Sequence, residues 1–298
     1  MTSATIRTDA ASIRRATLIG GSAILMWATL ALLTRLAGPI PPFQLVAMAF
    51  GVGGLTGLAV QVVLGRSPWS ALRQPPSVWA LGIGGLFGYH FLYFLALQTA
   101  PAVEANLINY LWPLLIVLFA GLLPGERLGR PQLLGAVAGL AGTLLLVTGG
   151  QGLSVRAEYL PGYLAALGCA VTWAAYSVLS RRFGEVPTES VIGFCLATSA
   201  LAALCHLAFE TTVWPQGWGW AVVLAMGLGP VGAAFFVWDH GVKRGDIQTL
   251  GALSYATPLL STALLIVAGE AALTWPVLAA GLLIVGGAVV AGRGLAKR

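Results

Sequence analysis

Gly88-Tyr-His-Phe-Leu-Tyr-Phe-Leu-Ala-Leu-Gln98, Thr99-Ala-Pro101 and Ala102-Val-Glu-Ala-Asn-Leu-Ile-Asn-Tyr-Leu-Trp-Pro113 follow one another without a gap. The stretch is an apolar helical run, a short proline-marked turn and a second apolar run. Extended to their natural ends, both runs reach the roughly 20 residues that bilayer hydrocarbon demands of a helix. They also carry His90, Tyr89, Tyr93 and Tyr110, together with Asn106 and Asn109. Polar side chains at membrane depth are costly enough to be a site hypothesis by default. The stretch is therefore expected to form one wall of a solute pathway.

The rest of the chain fits a membrane setting. Of its 298 residues, 58% are hydrophobic and 9% charged, with a mean hydropathy of +0.87, whereas soluble domains carry about 25% charged residues. Ten spans are predicted, at 16–36, 43–64, 77–98, 102–123, 131–149, 159–181, 189–208, 217–240, 247–267 and 275–292. Arg14 and Arg15 precede the first, but its apolar length and the missing cleavage pattern set it apart from a signal peptide. Of the 16 basic residues, all but Arg35 and Arg156 fall on one side of this layout. Loops rich in Lys and Arg face the cytoplasm, so both termini are expected there. The net charge of +6 then reflects topology and not a nucleic-acid partner. Trp69, Trp214, Trp218, Trp220 and Trp275 sit near span ends, as interfacial anchors do. Cys169, Cys195 and Cys205 lie in apolar runs and offer neither a disulfide framework nor a metal spacing.

Sliding the chain along itself by about 145 residues aligns its halves. Trp27-Ala-Thr-Leu-Ala-Leu-Leu-Thr-Arg35 lies over Trp173-Ala-Ala-Tyr-Ser-Val-Leu-Ser-Arg181, and Tyr110-Leu-Trp-Pro113 over Tyr255-Ala-Thr-Pro258. Gly125-Glu126 lies over Gly269-Glu270. Each half holds five spans, an odd number, so the second must run upside down relative to the first. Inverted repeats with a midplane site are a recurrent architecture of secondary transporters. The expected fold is thus an all-α integral membrane protein of ten transmembrane helices in two inverted five-helix repeats. The segments are 1–15 (cytoplasmic), 16–149 (first repeat), 150–158 (linker), 159–292 (second repeat) and 293–298 (cytoplasmic tail).

These matched motifs resemble the drug/metabolite transporter superfamily, EamA type, over residues 16–292. Within it, the run from Tyr89 to Pro113 is most similar to the bacterial aromatic amino acid exporters. The resemblance implies a basket in which the third, fourth, eighth and ninth helices line a central cavity with the first and sixth. It also implies residence in the bacterial inner membrane.

Spacing nominates the lining. Tyr89 and Tyr93 are four apart and His90 is three from Tyr93, so one helix face can hold them. Asn106 and Tyr110 share a face of the fourth span by the same rule. Trp238 corresponds to Tyr93 in the repeat, Tyr255 to Tyr110, and Trp27 to Trp173, with Tyr176 close by. The candidate substrate-binding set is Trp27, Tyr89, His90, Tyr93, Asn106, Tyr110, Trp173, Tyr176, Trp238 and Tyr255. Packing is the competing role for the tryptophans, and interhelical hydrogen bonding for the asparagines. Asp239 and Lys243, four apart, are expected to form a local ion pair. Glu126 and Glu270 precede Pro131 and Pro276 and read as helix-end features, not ligands. Pro113 and Pro258 each remove a helix hydrogen bond and should kink their spans.

The charge inventory narrows the solute. No Lys or Arg lies deep in a span to meet a phosphate, and a drug cation would need an embedded acid beside aromatics, for which only Glu104 is near. An aromatic wall with amide, imidazole and phenol groups suits a neutral or zwitterionic solute with an apolar side chain. On its own such a wall fits any hydrophobic metabolite, and it agrees with the small-molecule substrates that the resemblance implies, aromatic or hydrophobic amino acids exported by alternating access. No Walker-type loop supplies ATP chemistry, so facilitated or weakly proton-coupled transport is expected. The expected partners are that solute and membrane lipid. No cofactor, metal or catalytic group is expected, and the oligomeric state, monomer included, stays open. The alternatives are a broad-specificity multidrug or metabolite exporter and an intramembrane enzyme.

Overall fold

The computed structural model describes residues 10–67, 69, 72–124, 126–151 and 156–296. Three of the 16 basic residues, Arg7, Lys297 and Arg298, lie outside them, as do Gly125 of the repeat and residues 152–155 of the linker. Among the described residues there are ten helices long and apolar enough to cross a membrane and no strands. They are α1 (Ala10–Ala37), α2 (Pro42–Val63), α3 (Pro76–Thr99), α4 (Ala102–Ala120), α5 (Arg130–Thr148), α6 (Ala157–Arg182), α7 (Thr188–Phe209), α8 (Gly219–Arg244), α9 (Ile247–Val267) and α10 (Trp275–Arg293). The chain is a multi-pass membrane protein.

Boundaries differ from the apolar runs mainly where a helix outlasts its hydrocarbon stretch. Helix α1 begins at Ala10, before Arg14 and Arg15, and α8 runs on through Lys243 and Arg244. Arg14, Arg15 and Arg244 are exposed, so their charged heads stay in water while the backbone stays helical, and Lys243 turns inward to Asp239. The five interfacial tryptophans, Trp69, Trp214, Trp218, Trp220 and Trp275, are all exposed.

The 145-residue spacing reappears as local geometry. Helix α3 contains a widened π turn at Gly84–Gly88, and α8 contains one at Gly229–Ala233. Helix α4 breaks at Tyr110–Leu111 and α9 at Ser254–Tyr255, each just upstream of its proline. A proline ring clashes with the carbonyl four residues back, which places the break there and not at the proline itself. Packing partners come in swapped mates: α1 lies on α8 as α6 lies on α3, and α6 lies on α4 as α1 lies on α9. Helices α2 and α7 pack on each other, as do α5 and α10.

The two broken helices cross at their breaks. A Cβ on Gly251 would come within 3.0 Å of the Pro113 carbonyl, so the helices approach closely only because glycine stands there. The Leu114 N–H, left without a helical partner by the break, donates to the Tyr255 hydroxyl at 3.2 Å. Elsewhere the Glu210 carboxylate accepts the Phe43 and Gln44 amides at 2.9 and 3.0 Å. It caps the orphan donors at the start of α2 and joins α2 to the end of α7.

Candidate functional site

Four tryptophans from four helices meet in the middle of the bundle. Trp27 of α1, Trp112 of α4, Trp173 of α6 and Trp238 of α8 form a tetrad in which every pair is in ring contact, with centroids 5.1 to 6.4 Å apart. Most meet edge to face or tilted, the arrangement that the ring quadrupole favours. Phe235 sits against Trp27 and Trp173 at 6.1 and 5.7 Å, and Phe50 of α2 against Phe235 at 5.2 Å.

Two indole N–H groups find fixed partners. Trp238, fully buried, donates to the Ser177 hydroxyl at 3.0 Å. Trp27 donates at 3.1 Å to the carbonyl of Pro230, within the π turn of α8. The π turn of α3 is used in the same way, since its Leu86 carbonyl accepts the His90 Nδ1–H at 2.7 Å. A widened turn frees carbonyls from the helical ladder, and here an aromatic side chain takes each one. That bond fixes the imidazole, which packs edge-on against Phe50 at 5.1 Å.

Beside the tetrad, α3 and α4 are joined by two tyrosine–asparagine pairs. Tyr93 donates to Asn106 Oδ1 at 2.7 Å, and Asn109 Nδ2 donates to the Tyr89 hydroxyl at 3.1 Å. The two phenol rings stack at 6.1 Å with an interplanar angle of 8°, and Tyr89 lies 5.5 Å from Trp173. Tyr89, His90, Tyr93, Asn106, Tyr110 and Trp27 are half-buried, so this layer is the more open side of the cluster.

Of the residues nominated from sequence, Trp27, Trp173 and Trp238 come together in the tetrad, and Tyr89, His90, Tyr93 and Asn106 line the adjoining layer. Tyr110 stands at the break of α4. Tyr176 is buried behind Trp173, its ring filling the place of a side chain at Gly85. Tyr255 stands apart, fully buried in the crossing of α4 and α9 with its hydroxyl committed to Leu114. Trp112, Phe235 and Phe50 are the members that sequence reasoning missed. For Trp112 a signal existed, because it lies too deep in its span to be an interfacial anchor. The phenylalanines carried none.

Among the described residues, two acids near the cluster have fixed partners. Asp239 and Lys243 meet at 2.9 Å with both side chains almost fully buried, and Thr188 donates to the same carboxylate at 2.8 Å. Glu104 is taken by the Tyr163 hydroxyl. Glu126 and Glu270, read from sequence as helix-end features, lie between helices and in addition pair with Arg181 at 2.9 Å and Arg35 at 2.5 Å. A carboxylate beside a helix start is also within reach of any arginine that ends a neighbouring helix, and linear spacing does not reveal that neighbour.

Comparison with known proteins bears on this arrangement. The chain is 59% identical to the aromatic amino acid exporter YddG of Ancylobacter novellus, covering 93% of this chain and 96% of that one. It is 28% identical to the aromatic amino acid exporter YddG of Escherichia coli, again over 93% and 96%. A crystal structure of a protein 57% identical superposes with a TM-score of 0.91 over 96% of this chain and 99% of the other. The sequence pattern of the EamA-like transporter family matches residues 15–148 and again residues 160–293, one copy for each set of five helices. Matched in both halves, the chain belongs to the EamA-like transporter family.

Proposed function

We propose that the chain is a secondary transporter of the bacterial inner membrane that exports aromatic amino acids and similar hydrophobic metabolites by alternating access. The observation that carries this reading is the contact of a four-tryptophan cluster with a polar layer of two Tyr–Asn pairs and a fixed histidine. The cluster offers a flat apolar side chain several edge-to-face partners, each worth about 0.5–1.5 kcal/mol beyond burial. The amide, phenol and imidazole groups can orient the ends of a zwitterion. Among the described residues beside the site, Asp239 is paired with Lys243 and Glu104 accepts from the Tyr163 hydroxyl, an arrangement that does not favour a cationic drug. Relatives named as aromatic amino acid exporters support the same substrate class.

In this reading the five-helix sets are inverted repeats and both termini are cytoplasmic, since five is odd and the basic loops fall on one side. The substrate contacts are Trp27, Tyr89, His90, Tyr93, Asn106, Tyr110, Trp112, Trp173 and Trp238, with Tyr176 supporting Trp173. Transport is facilitated or weakly proton-coupled, and the chain works as a transporter without a catalytic step. Export from cells tests this. Cells expressing the chain should release preloaded labelled phenylalanine and tryptophan faster than control cells, and lysine at the control rate. Faster release of lysine or of a cationic dye, with phenylalanine unchanged, would overturn the substrate class.

A further inference from the structure

Arg181 at the end of α6 holds three elements together. Its Nη2 meets Glu126, between α4 and α5, at 2.9 Å. Its Nη1 donates to the carbonyls of Gly245 and Val242, at the α8–α9 corner, at 2.7 and 3.2 Å. A guanidinium can do this because its donors form a rigid fork. The pair is largely buried, with side-chain exposures of 27% and 19%.

The repeat supplies a second copy of the same parts at the opposite end of the bundle. Arg35 of α1 matches Arg181, and Glu270 matches Glu126, so each pair joins the arginine of one half to the glutamate of the other. The counterparts of Val242 and Gly245 are Leu97 and Ala100, at the α3–α4 corner. The two corners are built alike: Gly245 N–H bonds the Gly241 carbonyl at 2.7 Å, and Ala100 N–H bonds the Ala96 carbonyl at 2.9 Å. Yet among the described residues Arg35 keeps only its carboxylate contact, at 2.5 Å, and bonds no corner carbonyl. Its pair is open to solvent, with exposures of 61% and 35%.

Burial of the corners follows the same division. Residues 245–250 at the α8–α9 corner are all buried, whereas of their counterparts at the α3–α4 corner Pro101, Ala102 and Val103 are exposed, Glu104 is half-buried, and Ala100 and Ala105 are buried. Gln248 adds to the packed corner by accepting from Gly129 N–H at 2.8 Å and donating to the Arg127 carbonyl at 2.8 Å. Its counterpart is Val103, an apolar side chain that can make neither bond.

We propose that Arg181 and Arg35 are alternating latches: each keeps its glutamate throughout the cycle, and closes its own end by catching the carbonyls of the facing corner. The carboxylate contact is present at both the packed and the open end, so it does not distinguish them. The carbonyl contact is present only at the packed end, so it is the one that makes and breaks. When the bundle switches, Arg181 releases Val242 and Gly245 while Arg35 takes Leu97 and Ala100. This rests on the alternating-access reading above.

The test uses the full chain in lipid vesicles with its three native cysteines replaced by alanine. T249C reports opening at the buried α8–α9 corner and V103C reports closing at the α3–α4 corner, both by maleimide modification rate. R181Q should raise T249C reactivity roughly tenfold, the factor expected for losing a charge-assisted hydrogen bond, and lower that of V103C. R181K keeps the charge but loses the fork and should raise T249C reactivity nearly as far, with an unchanged melting temperature that excludes unfolding. E126Q keeps the carbonyl catch and should do less, and R35Q, which removes the catch that holds the switched state, should lower T249C reactivity and not raise it. Equal T249C rates in R181Q and the parent, or an equal rise in R35Q, would overturn the latch. If phenylalanine alters neither reporter in the parent chain, alternating access fails and takes the latch with it. If phenylalanine alters them while R181Q does not, the latch alone fails.

Discussion

Asn106 and Tyr255 show how differently two polar residues of one broken-helix pair are employed. Asn106 faces the half-buried layer and accepts from Tyr93, so its removal should leave packing largely intact but strip a hydrogen-bond partner from the site. N106A is expected to weaken apparent substrate affinity about tenfold, as losing one polar contact does, with the melting temperature little changed. Concentration-dependent uptake into vesicles measures it. Tyr255 instead serves the fold, because its hydroxyl holds the N–H that the α4 break leaves over. Y255F orphans that buried donor and should cost about 1–3 kcal/mol of stability, read as a lower melting temperature in detergent, with apparent affinity unchanged. From the sequence both were expected in the substrate site, because a buried tyrosine looks the same whether it faces a cavity or a neighbouring backbone.

At the scale of the element, the π turns of α3 and α8 orient two aromatic members of the candidate site. They free the Leu86 and Pro230 carbonyls for His90 and Trp27. Within the α3 turn, Gly84 and Gly85 have opposite surroundings. A Cβ at Gly85 would lie 2.3 Å from the Tyr176 ring, whereas one at Gly84 meets nothing within 4 Å. G85A is therefore expected to destabilise by about 1–3 kcal/mol through overpacking. G84A should be neutral or slightly stabilising, since alanine loses less entropy in a helix than glycine. Thermal melting of the two purified variants compares them directly. The spans were legible in the sequence because twenty apolar residues between charged or proline-marked ends leave few alternatives. The π turns were not, because a single inserted backbone step leaves no mark on hydropathy. The kinks at Pro113 and Pro258 were legible, since proline carries its own backbone constraint.

For the whole molecule, the repeat was the most informative feature of the sequence, and the structure carries it into turns, breaks and helix partners. What the sequence hid is the meeting of its members: that Trp112 completes a tetrad with Trp27, Trp173 and Trp238, and that Glu126 finds Arg181. Both depend on which helix faces lie together across the bundle, a long-range relation that periodicity along one helix does not encode. The functional claim depends on the same convergence. Its most direct test is counterflow of labelled phenylalanine in vesicles containing the purified chain, beside W173A and H90A, with no pH gradient. The account expects phenylalanine and tryptophan to exchange and lysine not to, with both variants slowed roughly tenfold or more, as when a positioned contact is lost, and each still correctly folded. Unchanged exchange in both variants, or no exchange of phenylalanine by the parent chain, would contradict it.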